Sequence, residues 1–200
     1  MDRLILFLSS LTLTLLASSA SALISGDVLL SSRSAKYAPA TGDEETMSGS
    51  AAKVAVHLDP IPLVPVSFGL SVNSVTLGST DTTPKGTGGE IAVEVKGWLP
   101  MVPVITPYAR IAYIVSGAYV LDGDVSGIPV KYGFDVSGST IGFGAEWSPL
   151  PLIGVLFEVT TGSLKLEPTK YEASGVAVAL APDKAGYTVT DISLGVSVGI

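Results

Sequence analysis

From residue 23 onward, apolar and polar positions alternate with a period of two, the pattern of strands that present two different faces. It is cleanest in the last segment. There Ile192, Leu194, Val196, Val198 and Ile200 share one face, and Asp191, Ser193, Gly195, Ser197 and Gly199 share the other. Ala52, Val54, Val56 and Leu58 oppose Lys53, Ala55, His57 and Asp59 in the same way. Val66, Phe68, Leu70 and Val72 oppose Ser67, Gly69, Ser71 and Asn73, and Ile91, Val93 and Val95 oppose Glu90, Ala92, Glu94 and Lys96. Four segments are less regular. Residues 24–37 set Val28 and Leu30 against Asp27 and Arg33, and residues 105–120 set Ala109, Ile111, Tyr113 and Val115 against Arg110, Ala112 and Ser116. Residues 134–147 set Ile141, Phe143, Ala145 and Trp147 against Gly142, Gly144 and Glu146; residues 153–166 set Val155, Phe157 and Val159 against Gly154, Glu158 and Thr160. Eight such segments predict an all-β, antiparallel, up-and-down arrangement.

The connections fall into two kinds. Three are short, apolar and rich in proline: residues 59–65, 99–103 and 148–151. Proline lacks an N–H and ends strands, so these predict tight turns. Four are longer and polar: residues 38–48 with Asp43-Glu44-Glu45, residues 78–89, residues 122–131 and residues 167–186. Short turns at one end and long loops at the other is the asymmetry of a transmembrane barrel.

The first residues read differently. Met1-Asp2-Arg3 is a charged start, Leu4 to Leu16 is an apolar run, and Ala20-Ser21-Ala22 offers the small residues of a cleavage site. Residues 1–22 are therefore expected to be a signal peptide, and residues 23–200 an outer-membrane barrel domain. Composition agrees with lipid. Charged residues make up 14% of the chain, against about 25% in ordinary soluble domains, and the mean hydropathy is +0.53. No later run approaches the 18 apolar residues of a spanning helix. A closed barrel instead pairs every backbone N–H and C=O between strands and leaves no edge in hydrocarbon. The net charge of −7 argues against nucleic acid as a partner. The absence of cysteine fits export, though weakly.

Alternation alone does not say which face looks outward, because a lipocalin-like barrel keeps its apolar face inside. The polar face here is mostly Gly, Ser and Ala with one or two charges per strand, whereas a face bathed in water would be crowded with Lys, Glu and Thr. Small residues suit a lumen just wide enough for side chains to fill it. The reading is an eight-stranded antiparallel up-and-down transmembrane β-barrel with its aliphatic face to lipid.

With the secretion signal, the eight strands, the Gly142-Phe143-Gly144-Ala145-Glu146-Trp147 segment and the closing strand 191–200, the mature chain resembles the small outer-membrane barrels of the OmpA transmembrane domain and OmpX class. The resemblance implies residence in the bacterial outer membrane, a monomer surrounded by outer-membrane lipid, and help from the barrel-assembly machinery during insertion. It departs from that class at Ile200, where members carry an aromatic residue that the machinery reads. It also implies aromatic girdles, for which Trp98 and Trp147 stand near the short turns and Tyr37, Tyr119 and Tyr132 near the loops.

Candidate chemistry gathers on the lumen face: Lys53, His57, Glu90, Glu94, Lys96, Arg110, Glu146, Glu158 and Asp191. Paired carboxylates could do acid–base work, and the lone His57 would have to serve any Ser-His-acid triad. Some members of the class are lipid-processing enzymes built on a barrel His and Ser, but no Ser stands out beside His57. The simpler reading is structural, because buried charges of both signs in a narrow lumen must pair. Glu94 and Arg110 are expected to face each other across one hairpin. No cofactor, metal cluster or phosphate-cradling loop is implied; Asp43-Glu44-Glu45 could hold divalent cations but reads more simply as a solvated loop. The expected function is a non-enzymatic envelope protein with a structural or surface-interaction role. The alternatives are a narrow pore for ions or small solutes and a soluble periplasmic barrel binding an apolar ligand.

Overall fold

A computed structural model describes residues 24–38, 45–60, 64–78, 85–99, 104–125, 127–150, 152–179 and 185–199. The expected cleavage site, and Asp43 and Glu44 of the acidic loop, lie outside them. The strands are β1 (Ile24–Ala38), β2 (Glu45–Leu58), β3 (Val66–Gly78), β4 (Lys85–Trp98), β5 (Ile105–Val125), β6 (Ile128–Leu150), β7 (Ile153–Ala173), β8 (Val176–Ala179) and β9 (Ala185–Gly199). Each of β1 to β6 pairs antiparallel with the next. The ring closes because β9 pairs with both β7 and β1. Eight strands therefore form an up-and-down barrel, and the short β8 folds back on the end of β7 alone.

The polar segments expected as loops are in large part strand. β2 begins at Glu45 and β4 at Lys85, inside two of those segments. Residues 122–131 are a hairpin in which Val125 pairs with Ile128, closed by Gly127 at φ +83° with its N–H on Asp124 Oδ1 at 2.6 Å. Within residues 167–186, β7 continues to Ala173 and turns into β8 through Ser174 and Gly175, both with positive φ. Two consecutive positive-φ residues make the primed turn that matches strand twist. Cross-strand pairing thus outweighs the turn-forming composition. As a result β5, β6 and β7 reach 21, 23 and 21 residues, against 13 to 15 in the other barrel strands. At the loop end β7 runs seven residues past Leu166, its last pair with β9, and adds about 23 Å along the strand, while β5 runs three past Asp122, its last pair with β4. With β6 and β8 these ends form a four-stranded sheet beyond the barrel mouth.

The outer surface changes character along the strands. Near the short turns it is apolar on every barrel strand, with Leu30, Val56, Leu70, Val93, Ile111, Phe143, Phe157 and Leu194 exposed. Nearer the loops the same outward positions become Ser32, Ser34, Ser48, Ser50, Ser74, Thr76, Thr87, Thr161, Ser163, Thr188 and Thr190. The interior changes in the opposite sense. Its turn-end half is polar and charged, while its loop-end half is an apolar core of Met47, Val75, Leu77, Ile114, Val136, Leu164, Leu166, Tyr187 and Val189. The two-residue period is continuous, but its hydrophobic phase inverts partway up the barrel. Only the turn-end half has the apolar-out, polar-in pattern of a membrane span.

Two expectations on β4 and β5 are corrected. Ser116, expected beside Arg110 on the inner face, is exposed, because a bulge at residues 115–117 shifts the register against both β4 and β6. Such a bulge inserts an unpaired residue and re-aims those beyond it, so that Tyr119 points inward. Tyr119 and Trp98 are also not girdle residues. Tyr119 is buried in the lumen, and Trp98 packs inward on Leu29, Tyr108 and Leu156; Trp147 is exposed on the outer face.

Candidate functional site

Inward glycines make room for the large lumen side chains. A Cβ on Gly69 would sit 2.5 Å from the His57 ring, one on Gly142 3.1 Å from the Glu158 carboxyl carbon, and one on Gly88 1.9 Å from the Tyr119 ring. These glycines face neighbours that an alanine would displace. The small residues of the polar face thus set where the charged ones stand.

The charges form two layers. Nearer the turns, Lys96 Nζ lies 2.9 Å from Asp27 Oδ2 and 3.7 Å from Glu146 Oε2. His57 sits between two carboxylates, Nε2 at 2.8 Å from Glu94 Oε1 and Nδ1 at 3.8 Å from Asp27 Oδ2. Arg110 bonds Glu158 through Nη2 and reaches Glu94 Oε1 at 3.3 Å through Nη1. Lys53 lies 3.6 Å from Glu158 and 3.9 Å from Glu94. Thr160 Oγ1 donates to Glu158 Oε1 at 2.8 Å. The Lys96 ammonium also sits over the Tyr108 ring, 4.6 Å from its centroid, an arrangement that favours a cation out of water.

The second layer is built on Arg33. Its Nε and Nη2 grip Asp191 in a fork, both at 2.8 Å, while Nη1 donates to Glu90 Oε1 at 2.8 Å and to the Tyr119 hydroxyl at 2.9 Å. Tyr119 in turn donates to Glu90, and Asn73 Nδ2 donates to Glu90 Oε2 at 2.8 Å. Such forked, charge-assisted bonds hold geometry as well as charge. Between the layers lies a cavity of about 40 Å³ lined by Arg33, Lys53, Asn73, Glu94, Glu158 and Asp191, among others. It has room for roughly three waters. Two of the lining acceptors, Asn73 Oδ1 and Glu94 Oε2, have no donor from the protein.

All nine residues singled out in the sequence point into the lumen, but they do not form one cluster. Glu90 and Asp191 belong to the Arg33 layer; Lys53, His57, Glu94, Lys96, Arg110, Glu146 and Glu158 belong to the other. Glu94 and Arg110 are within reach of each other, though not directly opposed as expected. Arg110 stands across from Lys96 in the β4–β5 ladder and Glu94 across from Ala112, so the pair is diagonal and shared with Glu158 and His57. Asp27 and Arg33, read from the sequence as polar-face residues, carry the centre of each layer yet were not in the predicted cluster. Asn73, Tyr108 and Tyr119 were also missing. Period-two placement could have supplied Asn73, but Tyr119 is legible only once the bulge is known.

Chemically, the arrangement neutralises and immobilises. His57 and its neighbours are wholly buried, and among the described residues no group of three or more metal-ligating side chains converges. The soluble alternative, an apolar-ligand barrel, finds no support in the inward face of the belt, which is charged.

No family model matches the chain, and no curated protein does. Solved structures do. The crystal structure of Neisserial surface protein A superposes with a TM-score of 0.53 at 11% identity, covering 88% of this chain and 97% of that one. A major outer membrane protein from Thermus thermophilus gives 0.50 at 12% identity, covering 86% and 99%. The fold is that of the small eight-stranded outer-membrane β-barrels. In that fold an outward apolar belt is the lipid-facing surface, and here the paired charges are enclosed behind it.

Proposed function

We propose that this protein is a non-enzymatic barrel of the bacterial outer membrane that acts as a surface-interaction platform, holding the β5–β8 sheet outside the cell. The observation that carries this reading is the loop-end extension, in which β7 continues seven residues past its last pair with β9 and β5 three past its last pair with β4, as paired strand rather than loop. That sheet exposes Ile128 and Val176 near its tips and pairs Tyr132 with Tyr171, ring centroids 4.9 Å apart. Its β8 edge makes no ladder beyond β7 among the described residues, and an open edge is a template for another chain. The likeness to a Neisserial protein named for its surface location supports the same reading. The pore alternative is disfavoured by the apolar core above the charged layers, where Ile114, Leu164, Tyr187 and Val189 close the lumen.

The test has two arms. Purified protein in planar lipid bilayers should give no steady conductance steps; regular steps would promote the pore. Replacing residues 122–131 and 167–180 by short turns should leave the barrel inserted but abolish adhesion of expressing cells to a cultured cell layer. Adhesion unchanged by that deletion would overturn the platform.

A further inference from the structure

The turn end is as unusual as the extension. Residues 60–65, 97–104 and 147–152 contain no charged residue. Where the structure describes them, their apolar side chains are exposed: Val64, Leu99, Val104, Leu150 and Leu152 are each between 45% and 58% accessible. These side chains extend the aliphatic belt toward the turns; Asp59, the one charged residue of the three turns, is only partly exposed.

The belt is short on β7, where the outward apolar positions run from Ile153 to Val159, about 20 Å along the strand. At tilts of 35–45° that is about 15 Å of height, against an apolar band of about 25 Å in barrels of this kind. On that strand the outward face turns to Thr161 and Ser163 on the loop side, so the missing height comes from the turn end.

The turn backbones also suit hydrocarbon, where an unpaired N–H is costly. Seven of the chain's 13 prolines lie in the three turns, at positions 60, 62, 65, 100, 103, 149 and 151, and each removes a donor. Several donors that remain are bonded: Trp98 N–H to Pro65 O at 2.9 Å, Leu99 N–H to Pro107 O at 2.9 Å, Ser148 N–H to Val104 O at 3.1 Å and Gly199 N–H to Leu152 O at 2.9 Å. We infer that the described flanks of the three proline turns, with Val64, Leu99, Val104, Leu150 and Leu152, are seated in the acyl-chain region of the membrane rather than in the aqueous space beneath it, and so complete the barrel's hydrophobic thickness with lipid as their partner.

The absence of cysteine makes the test clean. Val64→Cys, Leu99→Cys and Leu152→Cys, with Thr76→Cys on the polar upper surface as control, are each labelled with an environment-sensitive fluorophore in phosphatidylcholine vesicles. Quenching is read from doxyl groups on the acyl chains and from aqueous iodide on both sides of the bilayer. The expected result is at least threefold stronger doxyl quenching at the three turn sites than at Thr76→Cys, with iodide quenching in the reverse order. Iodide quenching at the turns equal to that at Thr76→Cys, without doxyl quenching, would place them in water and overturn the inference. Protection from both quenchers, with energy transfer between labelled copies, would mean that a second copy covers the turn end, and would overturn it too.

Discussion

The two halves of this barrel share strands, backbone ladder and twist, yet they are held together by opposite chemistry. In the turn-end half, Arg33, Lys53, Lys96 and Arg110 are interleaved with Asp27, Glu90, Glu94, Glu158 and Asp191. In the loop-end half the same inward positions hold Met47, Val75, Leu77, Leu164 and Val189. The outer surface explains the difference. Where lipid surrounds the barrel, an apolar side chain gains little by turning inward, because acyl chains are as apolar as leucine. Charge pairing is then what gives the interior a specific structure. Where water surrounds the barrel, burial of apolar area recovers its usual value. The interior is chosen by the solvent outside.

The strongest way to break this comparison is to strand a charge in the lower half. Arg110→Met leaves Glu158 and Glu94 short of their shared cation and is expected to cost about 3–5 kcal/mol, read by urea unfolding in lipid vesicles. Adding Glu158→Gln should recover much of that loss, and adding Glu94→Gln less of it, since Glu94 keeps His57 at 2.8 Å. Additive losses in both double variants would show that the layer is not one network.

A smaller effect sharpens the boundary between the halves. Val93→Arg and Thr76→Arg lie on the same outward face at different heights. The first should cost about 2–4 kcal/mol if its side chain lies at mid-bilayer, and the second should stay within about 0.5 kcal/mol, as on an ordinary wet surface. Equal costs would mean that the upper half is also in lipid. The smallest expected change is in the apolar core: Ile114→Val should lose about 0.5–1.5 kcal/mol. That loss should not change with salt.

Much of this was legible in the sequence. The alternation of Lys53, Ala55 and His57 against Val54, Val56 and Leu58 gives strand, face and lumen position together. The phase inversion was equally present, as Ser74-Val75-Thr76-Leu77 and Thr188-Val189-Thr190 set apolar residues on the face that carries Asn73 and Asp191. It is missed when each strand is assigned one face for its whole length. The bulge at residues 115–117 was not legible, since Val115, Ser116 and Gly117 are compatible with an unbroken strand and only pairing with both neighbours reveals the extra residue. Which carboxylate Arg110 would choose was also beyond reach. That choice depends on side chains from β4 and β7 meeting across the lumen, at a distance the alternation does not encode.

The change from aliphatic to hydroxyl side chains on the outer wall also sets the depth at which the protein floats. A barrel with a uniform apolar wall could bob in the bilayer with little resistance. Here a sinking motion of one residue pair would push Ser32, Ser50, Ser74, Thr161 and Thr190 toward the acyl chains on several strands at once, and their hydroxyls have no partners there. A rising motion would bring Leu30, Val72 and Leu194 into water. The wall therefore carries its own waterline. It fixes how far the β5–β8 sheet stands clear of the headgroups, without any contact between that sheet and the membrane.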